Sequence, residues 1–169
     1  IKKVFIGEPD TVAYPPAEDA IGQAELIIVG PGSLYTSVLP NLLIKGIRDA
    51  IRDASAPCVY ICNVATQVGE TEGFNAGDHV HALLDHIGEG VIDYVVVNDN
   101  VKDRLPNEMK YSSVSPDGLP INGVVALYEN VVNAGSPMLH DAKKLGEMLL
   151  NALEKGTLSK DSIADRGVL

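Results

Sequence analysis

The sequence predicts an α/β domain in which helices cover the faces of a parallel β-sheet. Two observations support this prediction. Short apolar runs alternate with amphipathic segments over residues 26–98, and a polar loop follows each of the first two runs. Strands joined through helices run parallel with right-handed crossovers, so the loops that follow them gather at one edge of the sheet.

The predicted strands are short apolar runs. Residues 26–29 are apolar without alternation, which is typical of a parallel strand buried on both faces. The second run covers residues 58–62, and the third covers residues 92–98. A further strand is expected at residues 124–128.

The predicted helices carry apolar stripes at helical spacing. The first begins near Pro40, and its stripe comprises Leu43, Ile47, Ala50, Ile51 and Ala54. The second carries Val80, Leu83, Leu84 and Ile87. The last begins at the capping residue Asp141 and ends at Gly156. Residues 99–119 are expected to form an irregular excursion or a short hairpin. The domain is therefore assigned to residues 1–156, with residues 157–169 as a loosely held tail.

Composition narrows the range of partners. The 169 residues include 13 Lys and Arg against 23 Asp and Glu, a formal net charge of −10. This charge argues against binding to nucleic acid or to an anionic membrane through a broad basic face. Cys58 and Cys62 would lie about 13 Å apart on one strand, too far for a disulfide, so we expect core packing and a cytoplasmic location.

The first predicted loop has the features of a phosphate-binding loop. Glycines allow the backbone to approach an anion closely, and the following helix start attracts negative charge. A tight strand-to-helix turn with a capping serine is the alternative interpretation. The candidate phosphate-binding residues are Gly30, Gly32, Ser33, Leu34, Tyr35, Thr36 and Ser37.

The second predicted loop, residues 63–77, is longer than an ordinary connection in such folds. Its amide and hydroxyl side chains suit a nucleobase or a sugar. Glu70 and Asp78 could hold a divalent cation such as Mg²⁺ against a diphosphate, or act as a base, although solvated carboxylates are the simpler interpretation. The candidate base- and sugar-binding residues are Asn63, Thr66, Gln67, Glu70, Thr71, Asp78 and His79.

The histidines near the second loop do not predict a resident metal site. Asp78 suits the first turn of a helix, and His81 and Asp85 are spaced to pair with each other. No zinc-type ligand spacing is present in the sequence. No catalytic residue is assigned, because no serine or cysteine has a base beside it in the sequence.

Two long motifs carry a family resemblance. They are residues 30–43, GPGSLYTSVLPNLL, and residues 62–71, CNVATQVGET, followed by Asp78-His79-Val80 and the run at 92–98. The sequence resembles the gluconeogenesis factor family, which is related to the 2-phospho-L-lactate transferases of deazaflavin coenzyme synthesis. The resemblance extends over most of residues 1–155.

The resemblance implies a Rossmann-like, three-layer fold and a cytoplasmic protein. It also implies binding of UDP-sugars such as UDP-N-acetylglucosamine and a role in carbon metabolism, cell-wall supply and cell shape. Relatives begin with a further strand and a glycine-rich loop, so this chain is expected to be a fragment with an incomplete N-terminal half. Relatives also carry an arginine where Leu139 stands, which implies weaker or different phosphate binding.

Three functions remain open from the sequence. The first is a UDP-sugar-binding regulator with little or no catalytic activity, whose partner is a small nucleotide sugar. The second is a transferase that moves a phospholactyl-type group from a nucleotide diphosphate donor to a deazaflavin alcohol. The third is a structural or oligomerisation fragment without independent ligand binding. We expect no nucleic-acid or membrane partner, and assembly into a homo-oligomer.

Overall fold

The structure is a computed structural model that describes residues 1–8, 10–100, 111–121 and 123–160. A four-stranded sheet lies at its centre, and its strands follow one another in chain order. All three strand pairs are parallel, which confirms the predicted α/β sheet. The strands are β1 (Ile27–Val29), β2 (Cys58–Ile61), β3 (Tyr94–Asn98) and β4 (Val125–Glu129).

Helices connect and cover these strands. A π-helical turn at Leu34–Val38 leads into the second helix. The α-helices are α1 (Pro15–Gly22), α2 (Leu39–Leu42), α3 (Lys45–Asp53), α4 (Ala76–Ile87) and α5 (Ala142–Glu154). The helix α1 was not predicted, whereas α4 and α5 match their predicted stripes.

Apolar side chains alternate between two cores, one on each face of the sheet. Tyr60 and Val95 face one core, which α3 and α4 cover with Ile51, Leu83 and other apolar residues. The residues that alternate with them face a second core under α5. Helices on both faces confirm the three-layer arrangement, because each sheet face buries its own set of side chains.

The prediction that β1 is buried on both faces was wrong. Ile27 and Val29 are buried, but Ile28 between them is 49% exposed. Ile28 pairs with Val59, which lies in the core under α5. The first strand is the edge of the described sheet, and α5 leaves that part of the face open. The open face matters because it forms part of the candidate site.

The single helix predicted from Pro40 to Ala54 is divided. Ile44 is extended between α2 and α3, with φ −70° and ψ 114°. Beyond the break, a Cβ on Gly46 would lie 2.7 Å from Cβ of Ala13. The break therefore changes the direction of the chain so that α3 packs closely against the α1 region, a contact that a continuous helix would not make. Tertiary packing has overridden the apolar periodicity.

Two connections were predicted incompletely. Within the predicted excursion, residues 111–119 are irregular and bridge to the second loop through Ser113 and Ala65, while residues 101–110 lie outside the described residues. A hairpin of β5 (Val132–Asn133) and β6 (Ser136–His140) was missed. Asn133 shapes its turn by accepting hydrogen bonds from the backbone N–H groups of Gly135 and Ser136.

The prediction of a loosely held tail is wrong for residues 157–160. Leu158 is 3% exposed and belongs to the core under α5, and Tyr94 Oη lies 3.0 Å from the Thr157 carbonyl oxygen and 2.8 Å from that of Ser159. Residues 161–169 lie outside the described residues. Cys58 and Cys62 are buried and free, as predicted. Within the described ranges, no helix has the length and apolar character needed to cross a bilayer.

Candidate functional site

The first loop leaves β1 and lies against the end of β2. Gly30 has φ +89°, which favours glycine, and a Cβ there would lie 3.4 Å from the Ile61 carbonyl oxygen. A Cβ on Gly32 would lie 3.3 Å from Cβ of Ser37. Glycine therefore allows this loop to fold closely on itself and on the neighbouring strand.

The second loop, which follows β2, is joined to the first by side-chain hydrogen bonds. Gln67 Nε2 donates to Ser33 Oγ over 2.7 Å, and Thr36 Oγ1 donates to Glu70 Oε1 over 3.1 Å. The two loops therefore lie face to face at the carboxyl ends of adjacent parallel strands, where open α/β sheets usually bind ligands.

The second loop is itself braced from two directions. Thr71 is fully buried, and its Oγ1 accepts a hydrogen bond from the backbone N–H of Gln67. Thr66 exchanges backbone and side-chain hydrogen bonds with Ser112 at 2.8–3.1 Å. These bonds hold the backbone of the loop and the side chains of Thr66 and Thr71 in place.

A groove of about 870 Å³ lies between the loops and α5. Its volume falls within the usual range of small-molecule sites. Most of its wall is apolar, and none of the described residues that line it is Lys, Arg, Asp or Glu. Its lining includes Gly30, Gly32, Ser33, Asn63, Thr66 and Gln67 among the predicted residues.

The other candidates from the first loop lie outside the groove lining. Leu34 is fully buried and Tyr35 is 3% exposed, so both side chains belong to the core. Burial, followed by the charges of Asp85 and Glu70, raises the pKa of Tyr35. Thr36 and Ser37 are exposed but do not line the groove. Of the candidates predicted in the first loop, the two glycines and Ser33 line the groove.

Asp78 and His79 were predicted as ligand-binding residues, and the structure does not bring them to the groove. Asp78 forms a reciprocal capping box with Asn75 at the start of α4. His79 is fully buried, and its Nδ1 bonds with the Asn75 carbonyl over 2.9 Å. The helix start uses both residues locally, and a capping pattern in the sequence was the signal for this.

A magnesium site built from Glu70 and Asp78 does not fit the groove. Neither carboxylate belongs to its described lining, and Asp78 lines a separate cavity of about 460 Å³ with His81, Asp85 and His86. Among the described residues, no group of three or more His, Cys, Asp or Glu side chains is placed to hold a metal ion. A divalent ion that accompanies a diphosphate ligand stays a prediction.

Several groove residues come from distant parts of the chain and were missed. Leu145 and Leu149 were predicted as core residues, and they also line the groove beside Ile28. Leu139, at the position where the resemblance implies an arginine, is in the wall and 60% exposed. The other missed lining residues are Pro31, Val64, Ala65, Tyr111, Met138, His140, Ala142 and Gly146.

His140 is the one titratable imidazole in the described lining. Its Nε2 lies 3.0 Å from the Cys62 carbonyl oxygen, which can only accept a hydrogen bond. The bond therefore places the proton on Nε2. Burial is the main cause that lowers the pKa of His140, with the Cys62 hydrogen bond opposing it. In this environment the His140 ring is neutral, and its Nδ1 carries a lone pair that can accept a hydrogen bond.

The fold and the groove define the class: an α/β protein with a groove beside two loops at the carboxyl edge of its parallel sheet. The family model of the 2-phospho-L-lactate transferase CofD matches residues 1–155. The chain therefore belongs to this family.

Relatives and a solved structure agree with that assignment. The chain is 41% identical over 157 residues to the gluconeogenesis factor of Halalkalibacterium halodurans, covering 89% of this chain and 49% of the relative. It is 38% identical over 162 residues to the gluconeogenesis factor of Bacillus subtilis, covering 92% and 51%. A crystal structure of a Bacillus halodurans protein matches with TM-score 0.80 and 39% identity over 89% of this chain and 50% of that one. The chain spans about half the length of these relatives.

Proposed function

We propose that the groove binds a nucleotide sugar of the UDP-N-acetylglucosamine type and that the protein acts as a cytoplasmic regulator of carbon metabolism, cell-wall supply and cell shape. The observation that carries the proposal is the Gln67–Ser33 hydrogen bond of 2.7 Å, which joins the loops of two adjacent strands through two side chains that both line the groove. Family relatives named gluconeogenesis factor support the metabolic role.

The chemistry of the lining suits such a ligand. The glycine-bearing loop allows close backbone approach to a diphosphate. Asn63, Thr66 and Gln67 offer amide and hydroxyl groups to a base or a sugar, which need paired donors and acceptors rather than net charge. The apolar wall around Leu145 would cover the carbon skeleton of the ligand.

A phospholactyl transferase is the second candidate function. The name of the matching family model favours it, and the apolar wall formed by Ile28, Leu145 and Leu149 favours a groove that also accepts a flat apolar ring. It is tested by incubating the chain with a deazaflavin alcohol and a nucleoside-diphosphate phospholactate donor. Appearance of the phospholactyl product by mass spectrometry would replace the regulator proposal.

Thermal-shift titration tests the regulator proposal. UDP-N-acetylglucosamine at 100 times its dissociation constant should stabilise the chain by about 2.7 kcal/mol. UDP, GDP and free N-acetylglucosamine are ranked in parallel, with magnesium chloride or EDTA to reveal any dependence on a divalent ion. The gluconeogenesis factor of Bacillus subtilis serves as the longer comparison protein.

Three outcomes separate the alternatives. A shift in this chain with UDP-N-acetylglucosamine above the other compounds supports the proposal. A shift confined to the longer relative indicates that this chain is a structural part without its own ligand binding. No shift in either protein removes the nucleotide-sugar proposal.

A further inference from the structure

The polar side chains of the groove form a hydrogen-bond chain with a direction. Asn63 Nδ2 donates to Gln67 Oε1 over 3.3 Å, and Gln67 Nε2 donates to Ser33 Oγ over 2.7 Å. Each amide therefore donates a hydrogen bond in the direction of the first loop. The two ends of this hydrogen-bond chain consequently differ in whether they offer a donor or an acceptor to a ligand.

The Ser33 end offers a donor. Because its oxygen accepts the bond from Gln67, the Ser33 hydroxyl keeps its own hydrogen for another partner. This hydroxyl lies beside Gly32 in the glycine-bearing loop, and both residues line the groove. A hydroxyl donor beside close backbone suits an anionic phosphate oxygen.

The Asn63 end offers acceptors. Among the described residues, Asn63 Oδ1 is buried and has no hydrogen-bond partner. A buried acceptor without a partner is costly, so a ligand donor that reaches it gains the full contact. His140 adds a second acceptor next to it in the fold, because its Nε2–H is committed to the Cys62 carbonyl and Nδ1 holds the lone pair.

We propose that this hydrogen-bond chain sets both the orientation and the specificity of the ligand. In this proposal Asn63 and His140 accept hydrogen bonds from O–H or N–H groups of the ligand, and the Ser33 hydroxyl donates to a phosphate oxygen. This inference rests on the proposed nucleotide-sugar function and deepens it. A phosphate at the Asn63 end would face the two acceptors Asn63 Oδ1 and His140 Nδ1, with only the second N–H of Asn63 Nδ2 as a donor there. The donor that Asn63 and His140 select belongs either to the uracil imide or to sugar hydroxyls.

Truncations at the two ends test the orientation. Ser33→Ala should weaken binding of inorganic pyrophosphate about ten-fold, while Asn63→Ala should leave that affinity within about two-fold. Both variants should bind UDP-N-acetylglucosamine about ten-fold more weakly. Ser55→Ala and Asn151→Ala are the matched controls, since both residues are exposed and lie outside the groove lining. The inference is overturned if pyrophosphate binding is weakened by Asn63→Ala but not by Ser33→Ala. It is also overturned if both variants weaken pyrophosphate binding equally.

A change in the ligand identifies which donor Asn63 and His140 select. N3-methyluridine in place of uridine in UDP-N-acetylglucosamine removes the imide donor. If the methyl group weakens binding to the unsubstituted chain about ten-fold but does not weaken binding to Asn63→Ala, the imide contacts the Asn63 end. Unchanged binding, together with loss for a sugar-deoxy analogue, assigns the sugar hydroxyls. Insensitivity to both changes overturns the specificity part of the inference.

A crystal structure of the complex gives the second, direct measurement. Phosphate oxygens within hydrogen-bond distance of Ser33 Oγ support the inference, and phosphate oxygens at Asn63 contradict it. In that second case a bound nucleotide sugar still upholds the proposed function. Failure of the unsubstituted chain to bind UDP-N-acetylglucosamine in solution overturns the proposed function and the inference together.

Discussion

Gly77 lies where the start of α4 meets the segment that follows residue 110. A Cβ at this position would lie 2.5 Å from the Gly118 carbonyl oxygen and 2.7 Å from Gly118 Cα. Ordinary carbon contacts begin at about 3.5 Å, so Gly77→Ala must push Gly118 away by about 1 Å. The contact is backbone against backbone, and no side-chain rotation can relieve it.

The displacement has a cost that can be worked from the contacts. The backbone N–H of Gly77 donates to the Asp117 carbonyl over 3.0 Å, and that of Ala76 donates to the Ser115 carbonyl over 2.8 Å. Overpacking, combined with weakening of these two bonds, should lower the free energy of unfolding by about 2–4 kcal/mol. The same segment braces Thr66 and supplies Tyr111 to the groove, so ligand affinity should fall as well.

Urea unfolding followed by circular dichroism measures the effect. Gly146→Ala is the matched control for stability, because it adds the same methyl group inside α5, where the Cβ meets no atom within 4 Å beyond its chain neighbours and its own helix backbone. The control should gain about 0.5–1 kcal/mol from reduced backbone freedom. If Gly77→Ala is as stable as the unsubstituted chain to within about 0.5 kcal/mol, the assigned close contact is wrong.

Three further predictions concern the site, the pH dependence of stability and the contacts of Lys160. Gly32→Val should abolish the ligand-induced thermal shift because its branched side chain crowds Ser37 and blocks backbone approach; Gly7→Val, with no other atom within 4 Å, should leave the shift intact. Burial lowers the pKa of His79, so folding holds it neutral while the unfolded chain protonates near about 6.5. The contribution of His79 to stability should therefore be fully present above about pH 6.5 and be lost on acidification. Between pH 7.5 and 5.5, the urea midpoint should fall less in His79→Gln than in the unsubstituted chain. An equal fall in the two proteins would contradict this reasoning. Lys160→Met should cost about 1–2 kcal/mol in urea unfolding, because Lys160 Nζ bonds three carbonyls at the end of α3; no loss would mean that these contacts do not stabilise the chain.

The four strands of the parallel sheet and two of the helices were predictable because their signals are local. The apolar runs that became β2 and β3 are buried on both faces, and the stripe from Leu83 to Ile87 faces the core. Exposure of Ile28 was not predictable in this way, since it depends on strand order and on where α5 lies. A continuous apolar run indicates a strand without stating what covers each face.

The candidate site was predicted in part for the same reason. Strand-to-loop transitions placed Ser33 and Gln67 at one edge of the sheet, and these side chains are in contact. Asp78 and His79 were predicted from their proximity to the long loop, and they lie outside the described groove lining because the helix start fixes their positions. The opposite wall, including His140, comes from a hairpin far along the chain, and no local pattern connects it to the loops.

The most direct measurement is a titration of the isotope-labelled chain with UDP-N-acetylglucosamine, followed by backbone amide resonances. The largest changes should fall together on Ser33, Asn63 and Gln67, because one ligand would contact both loops. Changes centred on the separate cavity near Asp78 and His81, or confined to one of the two loops, would contradict a shared nucleotide-sugar site.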